Sequence, residues 1–323
     1  MMKMDSLNNL SKLPVGTTIC GKWHGKTYKI IKELGSGANG IVYLAEGEKE
    51  RVAIKLSDNP NTVTSEVNVL KELSKAQGIT LGPSLLDVDD WAVSGKSISF
   101  YVMEYIEGSD FLSFIKQKDK AWVDVLILQL LADLHHLHAG GWVFGDIKPE
   151  NLIVAGPPMK IRCIDVGGVT RIGRAIKEFT EFFDRGYWGL GTRKADPGYD
   201  LFAVAMMMIN VFYPHRFQRQ ENPGISQLIE IIDQHSELKE KRNILIRALK
   251  GEYKTALEMR RDLLLHKRQI IEKRPAGSGK GRAKMGTSLQ RKTKRNGSSF
   301  FETVLMVIFI FFLYAMYIMR LIL

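Results

Sequence analysis

The chain has 323 residues, of which 45% are hydrophobic and 25% are charged, and its formal net charge at pH 7 is +11. This composition excludes a disordered or collagen-like chain and leaves room for one large domain or two modest ones. The two cysteines, Cys20 and Cys163, are too few for a disulfide framework and favour a reducing compartment.

The first third of the chain contains strand-like runs separated by glycines. Residues 1–25 form an N-terminal extension of mixed polarity without the apolar segment of a signal peptide. The apolar spacing of residues 63–76 predicts a helix. Four runs predict strands, and the last of them is predicted to be buried: 28–34, 40–47, 51–56 and 97–106.

A glycine-rich stretch, LGSGANGIVYLA at residues 34–45, has the spacing G-x-G-x-x-G-x-V. Its last residues continue as a strand instead of opening a helix, which argues against a dinucleotide-binding turn. The spacing favours a hairpin flap whose backbone amides can approach phosphate oxygens, because glycine leaves no side chain in the way. An ordinary hairpin with glycine turns is the alternative.

The sequence VAIK ends in Lys55, thirteen residues after Val42. Glu66 on the predicted helix offers this lysine an ionic partner, and such a pair could hold the ammonium group against a phosphate. A lysine at the end of a strand can also lie at an exposed edge without any such function.

The middle of the chain is rich in helical patterns. Residues 121–141 predict a strongly apolar helix, residues 200–213 predict a helix that is buried all round, and residues 226–264 predict two or three amphipathic helices. The first of these carries the histidines of LHHLH: His135, His136 and His138. Zinc binding is one interpretation of this cluster, but no further ligand accompanies it, which favours a structural helix end.

Between two apolar strips, the sequence WVFGDIKPENLIV at residues 142–154 brings together Asp146, Lys148 and Asn151. Asp165 follows in IDVGG, nineteen residues after Asp146 and directly after another apolar run. Any one of these residues could belong to a solvated turn. Carboxylate and amide oxygens are, however, the groups that hold metal ions bound to phosphates.

The order and spacing of these motifs resemble the eukaryotic-like (Hanks-type) bacterial Ser/Thr protein kinases over residues 28–215. The resemblance implies an α+β, bilobal protein-kinase-like fold, with a small β-rich N-lobe and a helical C-lobe over residues 26–265. It also implies an enzyme that uses ATP and Mg²⁺ to phosphorylate protein hydroxyls. The spacing Asp146-x-Lys148 resembles Ser/Thr kinases more than tyrosine or aminoglycoside-type kinases. A catalytically inactive pseudokinase scaffold is the alternative.

Within this resemblance, each motif residue acquires a role. Asp146 is implied as the catalytic base, Lys148 as the residue that stabilises charge on the transferred group, and Asn151 and Asp165 as metal ligands. Asp200 matches the aspartate that opens the helix after the activation segment. Ten residues are implied to bind the nucleotide, with Lys55 and Glu66 as an ion pair and Met103 as the gatekeeper: Gly35, Gly37, Gly40, Val42, Ala53, Lys55, Glu66, Met103, Glu104 and Ile106.

The chain departs from the kinase pattern in its catalytic loop and activation segment. The usual H-R-D is Phe144-Gly145-Asp146, so a phosphorylated activation loop would lack its arginine anchor and we expect another route of activation. D-F-G is Asp165-Val166-Gly167, and residues 168–199 contain no A-P-E, which leaves open how that segment is held. Three threonines there are candidates for autophosphorylation: Thr170, Thr180 and Thr192.

The positive charge is concentrated in one segment, 267–295, which has eleven Lys or Arg against one acid, Glu272, a net charge of +10. Pro275 and the glycines after it predict a flexible basic linker over residues 266–299. Its charge could orient a membrane protein, bind anionic lipids or bind nucleic acid independently of sequence. The basic residues are Lys267, Arg268, Lys273, Arg274, Lys280, Arg282, Lys284, Arg291, Lys292, Lys294 and Arg295.

Residues 300–323 predict one transmembrane anchor, since sixteen apolar residues run without interruption from Val304 to Met319. We therefore expect a single-pass protein of the cell membrane with its kinase domain in the cytoplasm. This plan resembles the YabT-type kinases of spore-forming Bacilli. That resemblance implies a DNA-responsive kinase linked to sporulation and favours DNA as the ligand of the basic linker. We also expect kinase domains to associate for trans-autophosphorylation.

Overall fold

The computed structural model describes residues 12–37, 39–75, 81–93, 95–221 and 224–273. Most of the predicted basic linker and the whole predicted anchor, 300–323, lie outside these residues. Within the described part of the chain, no helix is both long enough and apolar enough to cross a bilayer.

An antiparallel sheet of six strands forms the N-terminal part, with the strand order β1-β2-β3-β4-β6-β5. Its strands are β1 Thr18–Cys20, β2 Thr27–Gly37, β3 Gly40–Glu46, β4 Arg51–Ser57, β5 Leu85–Val93 and β6 Lys96–Glu104. Apolar residues such as Ile30, Tyr43 and Ile54 are buried together on one face of the sheet. The four strands predicted from the sequence are confirmed.

Two parts of this sheet differ from the prediction. Strand β5 contains three aspartates and does not look like a buried strand in sequence, but Asp89 accepts hydrogen bonds from the backbone of Trp23 and His24, at 2.9 and 2.8 Å. Asp87 accepts one from the Tyr28 hydroxyl at 2.8 Å. Part of the predicted extension, 1–25, therefore belongs to the sheet, because β1 pairs with β2 and the next loop binds β5.

Helix α1, Pro60–Lys75, connects β4 to the second half of the sheet. Its apolar residues Val63, Val67 and Leu70 are buried in the main core with residues of β4 and β6. This packing follows the helical spacing of the sequence and turns Glu66 towards β4.

The C-terminal part is built around one buried helix. Its helices are α2 Phe111–Gln117, α3 Ala121–Ala139, α4 Pro197–Asn210, α5 Ser226–Gln234, α6 Ser236–Glu240, α7 Arg242–Leu249 and α8 Ala256–Lys273. Every residue of α4 from Gly198 to Asn210 is buried, as the apolar run from Leu201 to Ile209 predicts. Asp196 caps the N-terminus of α4 by accepting a hydrogen bond from the backbone of Tyr199, and Pro197 occupies the first turn.

Short strands between the two parts carry the loops of interest. Strands β7 Gly108–Asp110, β9 Leu152–Ala155 and β10 Lys160–Cys163 form a three-stranded sheet, and β8 Trp142–Val143 pairs with β11 Thr170–Arg171. The loop 144–151 leaves β8 and enters β9, while Asp165 follows β10. Two antiparallel pairings thus bring the two polar segments of the sequence side by side.

The carboxylate of Asp200 holds the backbone of the loop after β8 in place. It is fully buried in the first turn of α4 and accepts hydrogen bonds from the backbone of Phe144 at 2.8 Å and of Gly145 at 2.9 Å. His138 Nε2 contacts the same carboxylate at 2.8 Å. This contact explains His138 structurally, and among the described residues no three metal-binding side chains cluster, so the zinc interpretation finds no support.

Helix α8 changes the predicted boundary of the basic linker. The linker was expected to begin at residue 266, but α8 continues to Lys273 because the first helix breaker in this part of the chain is Pro275. Lys267, Arg268 and Lys273 therefore lie on a helix and not in a flexible segment.

Replacing Asp200 by alanine should lower the free energy of unfolding by about 3 kcal/mol or more. The substitution leaves two buried backbone N–H groups and a buried histidine without their acceptor, and each orphaned group costs about 1–3 kcal/mol. Urea unfolding monitored by circular dichroism measures the loss. The exposed Glu240→Ala is the control, and a loss below about 1 kcal/mol for Asp200→Ala would contradict this account.

Candidate active site

A cleft of about 1280 Å³ opens between the six-stranded sheet and the helical part. The predicted site residues come from segments far apart in the sequence, yet all of them line this one cleft. They are Gly35, Gly37, Gly40, Val42, Ala53, Lys55, Glu66, Met103, Glu104, Ile106, Asp146, Lys148, Asn151 and Asp165.

The glycine-rich stretch forms the roof of the cleft as the hairpin between β2 and β3. Gly37 pairs with Gly40, so the chain reverses there and does not open a helix, as the sequence predicted. Gly40 has φ +130°, and a Cβ atom at this position would lie 2.2 Å from the carbonyl oxygen of Leu56. A side chain is thus excluded at Gly40, whereas Gly35 and Gly37 face open space that leaves their backbone accessible.

On the sheet side of the cleft, Lys55 and Glu66 form a buried ion pair. Lys55 Nζ lies 2.7 Å from Glu66 Oε1, and the two side chains are 8% and 5% exposed. Glu66 Oε2 accepts a hydrogen bond from the hydroxyl of Tyr101 at 2.9 Å. Tyr101 was not among the predicted residues, although it pairs directly with Lys55 across β4 and β6. Burial, followed by the charge of Glu66, raises the pKa of the Tyr101 hydroxyl, which keeps it a donor.

The loop 144–151 forms the floor of the cleft. Lys148 Nζ lies 2.5 Å from Asp146 Oδ2, and Asn151 Nδ2 donates to the backbone oxygen of Asp146 at 2.9 Å. Thr180 of the activation segment completes the group, since its hydroxyl donates to Asp146 Oδ1 at 3.1 Å and accepts from Lys148 at 3.1 Å. The contact shows where a hydroxyl group can meet both the carboxylate and the ammonium.

Asn151 and Asp165 suit a magnesium ion. The amide nitrogen of Asn151 is used by Asp146, which leaves its oxygen as the atom that can ligate a cation. Asp165 accepts the backbone N–H of Gly167 at 2.9 Å through one oxygen and retains further acceptor capacity. Hard oxygen donors from one carboxylate and one amide fit Mg²⁺, which takes its other ligands from phosphates and water.

Glu178 is a further carboxylate in the cleft that the sequence analysis missed. It lines the cleft beside Asp165, and Asn39 of the hairpin roof donates a hydrogen bond to it. Burial, and then the negative charge of Asp165, raises the pKa of Glu178, while Lys55 acts in the opposite direction. Glu178 thus joins the activation segment to the roof across the cleft.

The hinge residues are arranged around β6. Met103 and Ile106 are buried, with exposures of 5% and 6%, and both line the cleft. The side chain of Glu104 turns away to Arg162, whose Nη2 lies 2.9 Å from it, and accepts the backbone N–H of Ser84 at 3.1 Å. Glu104 can therefore serve a ligand through its backbone, because its carboxylate is already engaged.

The activation segment is held without the A-P-E sequence. Asp184 is fully buried and accepts hydrogen bonds from the Tyr199 hydroxyl at 2.9 Å and from Arg193 Nε at 2.7 Å. Arg185 pairs with Asp196, the residue that caps α4. These pairs hold the activation segment against the start of α4, which is how the segment is fixed without an A-P-E sequence.

The structure also separates the three candidate threonines. Thr170 is buried and its hydroxyl donates to the backbone oxygen of Gly168 at 2.8 Å. Thr180 is engaged with Asp146, as described above. Thr192 is exposed and only its backbone oxygen has a partner, Arg185, among the described residues. Thr192 is therefore the most accessible of the three hydroxyls.

Gly145 occupies the position of the usual arginine in the catalytic loop, and the fold leaves no room for a side chain there. It has φ +86°, and a Cβ atom there would lie 2.5 Å from the carbonyl oxygen of Gly168. The activation segment passes so close to the loop that this position admits no side chain.

Gly145→Ala should lower the free energy of unfolding by about 2 kcal/mol more than Gly173→Ala. Both glycines have positive φ, so both substitutions incur the left-handed cost of about 1–2 kcal/mol. A Cβ atom at Gly173 meets nothing within 4 Å, whereas at Gly145 it meets backbone. Urea unfolding of the two variants isolates the contact with Gly168, and equal losses would mean that the close approach does not exist.

Comparison with known proteins agrees with this geometry. Residues 28–273 match the family described as Protein kinase domain. The chain is 48% identical to serine/threonine-protein kinase YabT of Bacillus subtilis over 98% of both chains. It is also 25% identical to sporulation protein kinase mde3 of Schizosaccharomyces pombe over 62% of this chain and 42% of the relative.

Among solved structures, vaccinia related kinase 3 matches with a TM-score of 0.56 over 82% of this chain and 94% of that chain. At 17% identity this likeness shows the fold alone. The family match and the similarity along nearly the whole chain go further: the chain belongs to the protein kinase family and is a serine/threonine protein kinase of the bacterial Hanks type.

Proposed function

We propose that this kinase transfers the γ-phosphoryl group of ATP to protein hydroxyls in the cleft, is held at the cell membrane by residues 300–323, and is activated by DNA bound to its basic segment. The observation that supports the first part is the convergence of Lys55, Asp146, Asn151 and Asp165 in one cleft under the glycine-rich hairpin. The roles below follow the general scheme of protein kinases.

The nucleotide would lie under the β2–β3 hairpin, with its base against Met103 and Ile106 and its phosphates towards Lys55. The buried contact with Glu66 holds the Lys55 ammonium in position. Asn151 and Asp165 would bind Mg²⁺, which neutralises charge on the phosphates when it is bound. Because Glu178 adds negative charge beside Asp165, the cleft depends on cations to accept a nucleotide triphosphate.

Asp146 would accept the proton of the attacking hydroxyl as the new oxygen–phosphorus bond forms and the bond to ADP breaks. The contacts of Thr180 support this role, since they demonstrate that a hydroxyl fits between Asp146 and Lys148. Lys148 would stabilise the charge that develops on the transferred group.

Membrane attachment and activation by DNA are proposed from the sequences of residues 300–323 and 267–295. Most of these residues lie outside the described part of the chain. An apolar stretch of about 20 residues is long enough to cross the hydrocarbon core, and basic residues beside it favour a cytoplasmic location of the kinase domain. The +10 charge of residues 267–295 would neutralise DNA phosphates without reading the sequence, because the segment has no aromatic residues for base stacking.

Activation through DNA is consistent with the absence of the loop arginine. DNA that binds several chains would concentrate kinase domains and promote trans-autophosphorylation. A link to sporulation is part of the same proposal.

Asp146→Asn should reduce phosphoryl transfer at least about 100-fold while ATP affinity stays within a few-fold of wild type. The amide keeps the shape of the side chain but cannot accept the proton, and general-base catalysis contributes about 10²–10⁴-fold. Incorporation of labelled phosphate and ATP binding, measured side by side, test this. Comparable transfer by both proteins would remove Asp146 from the reaction.

DNA should stimulate autophosphorylation of the full-length kinase, and neutralising the eleven Lys and Arg between residues 267 and 295 should abolish the stimulation. If all eleven contact duplex phosphates, the logarithm of the binding constant falls with the logarithm of salt concentration with a slope of about −10. Phosphorylation is measured with DNA, with anionic vesicles, with neutral vesicles and with no addition.

Basal phosphorylation in the neutralised protein is the control for folding, and it should match wild type because none of the substituted residues has a role in the proposed chemistry. Stimulation by anionic vesicles alone would assign the basic segment to lipids. An equal DNA response in both proteins would remove the basic segment from activation.

A further inference from the structure

The activation segment exposes a basic surface next to the candidate active site. Residues 173–177 run antiparallel to residues 193–195, with backbone hydrogen bonds of 2.8 Å from Ala195 to Arg174 and 2.9 Å from Ile176 to Arg193. Ile176 and Ala195 are buried beneath it. We call this surface the basic ribbon, and its exposed cations are Arg171, Arg174, Lys177, Arg193 and Lys194.

Four of these five cations have no ionic partner among the residues that the structure describes. Arg193 pairs with Asp184 and also lies over the ring of Phe179 at 4.0 Å. Arg171 stacks on Trp142 at 4.3 Å, and Lys177 donates to the neutral hydroxyl of Ser65 at 3.2 Å.

Among the described residues, no carboxylate lies within ion-pair distance of Arg171, Arg174, Lys177 or Lys194. Residues 168–199 contain four acids, and three of them are engaged elsewhere. Asp184 and Asp196 pair with arginines, and Glu178 lies in the cleft beside Asp165. Only Glu181 remains as an exposed acid of this segment. The ribbon thus carries an excess of positive charge that the acids of the segment offset only in part, at Arg193.

The basic ribbon lies close in the chain to the place where the hydroxyl of a substrate would meet Asp146. Lys177 is exposed and lines the cleft, and Thr180, three residues later, contacts both Asp146 and Lys148. Three residues of extended chain span about 10 Å, so a polypeptide with its hydroxyl at Asp146 places its neighbouring residues beside the ribbon.

We infer that the basic ribbon binds acidic residues that flank the acceptor, and that this kinase prefers serines and threonines in acidic segments of its protein substrates. The inference rests on the proposed role of Asp146 as the residue that meets the acceptor hydroxyl. An acidic polypeptide is favoured over nucleic acid as the partner because the ribbon continues directly into the acceptor position. Charges that complement a partner contribute to selectivity even where they are exposed.

The test uses the full-length kinase and three peptides that share one central serine and differ only in the four residues on each side. These flanks are acidic, neutral or lysine-rich, and kcat/KM is measured for each peptide at low ionic strength, where exposed charges are least screened. Wild type should phosphorylate the acidic peptide about tenfold better than the neutral one, since two or three exposed ion pairs contribute about this much.

Variants of the basic ribbon test whether it causes the preference for the acidic peptide. The double variant Arg174→Ala/Lys194→Ala should reduce the ratio of acidic to neutral peptide to about one, and Arg174→Glu/Lys194→Glu should shift the preference to the lysine-rich peptide. Neither residue lines the cleft, so kcat/KM for the neutral peptide should not change. Lys239→Ala/Lys250→Ala removes the same charge from exposed positions on the helical part and should keep the wild-type ratio.

Equal kcat/KM for the acidic and neutral peptides in wild type would overturn the inference, as would an unchanged ratio in the ribbon variants. Equal values together with DNA binding that is lost in Arg174→Ala/Lys194→Ala would make the ribbon a nucleic-acid surface, which also overturns it. Transfer to the neutral peptide, present in wild type and lost in Asp146→Asn, reports separately on the proposed chemistry.

Discussion

The buried carboxylate of Asp200 holds the backbone of Phe144 and Gly145, and through them the position of Asp146. A buried charge without partners would be costly, but this one accepts two backbone N–H groups and contacts His138 at the positive end of α4. The interaction joins the buried helix α4 to the loop that carries Asp146 and Lys148. Catalytic groups placed on such a rigid base need no rearrangement when the substrate binds.

Charge is distributed unevenly around the cleft. The sheet side presents the Lys55 ammonium, held by Glu66 and Tyr101, and the other side presents the carboxylates of Asp146, Asp165 and Glu178. Burial, and then the negative charge of Asp165, raises the pKa of Glu178. Such a cleft repels phosphates by itself, which supports the proposal that a divalent cation accompanies the nucleotide.

The activation segment is held in place although the catalytic loop has no arginine before Asp146. Gly145 leaves no room for the usual arginine because the segment passes directly over it. In its place Asp184, Arg193, Arg185 and Asp196 form ion pairs within the segment and to α4. Since these pairs need no phosphate group, the segment is ordered by its own charges. Control by an event elsewhere in the chain, as proposed for the basic segment, is therefore physically consistent with this fold.

The sequence by itself determined the features that depend on neighbouring residues. The hairpin follows from the spacing of Gly35, Gly37 and Gly40, and the burial of α4 follows from its continuous apolar run. The predicted site residues were identified because each lies in a short motif, although nothing in one motif specifies its distance from another.

Only the tertiary structure decided which distant residues meet. Glu178 and Asn39 are 139 positions apart in the sequence, and Tyr101 and Glu66 are 35 positions apart. No local sequence pattern therefore predicts either contact. The acidic strand β5 was missed for the same reason, because Asp89 is satisfied by the backbone of Trp23 and His24, more than 60 residues away. The periodicity of apolar residues predicts which face of a helix or strand is buried. The hydrogen-bond partner of a buried polar group depends on how the whole domain packs, so it cannot be read from neighbouring residues.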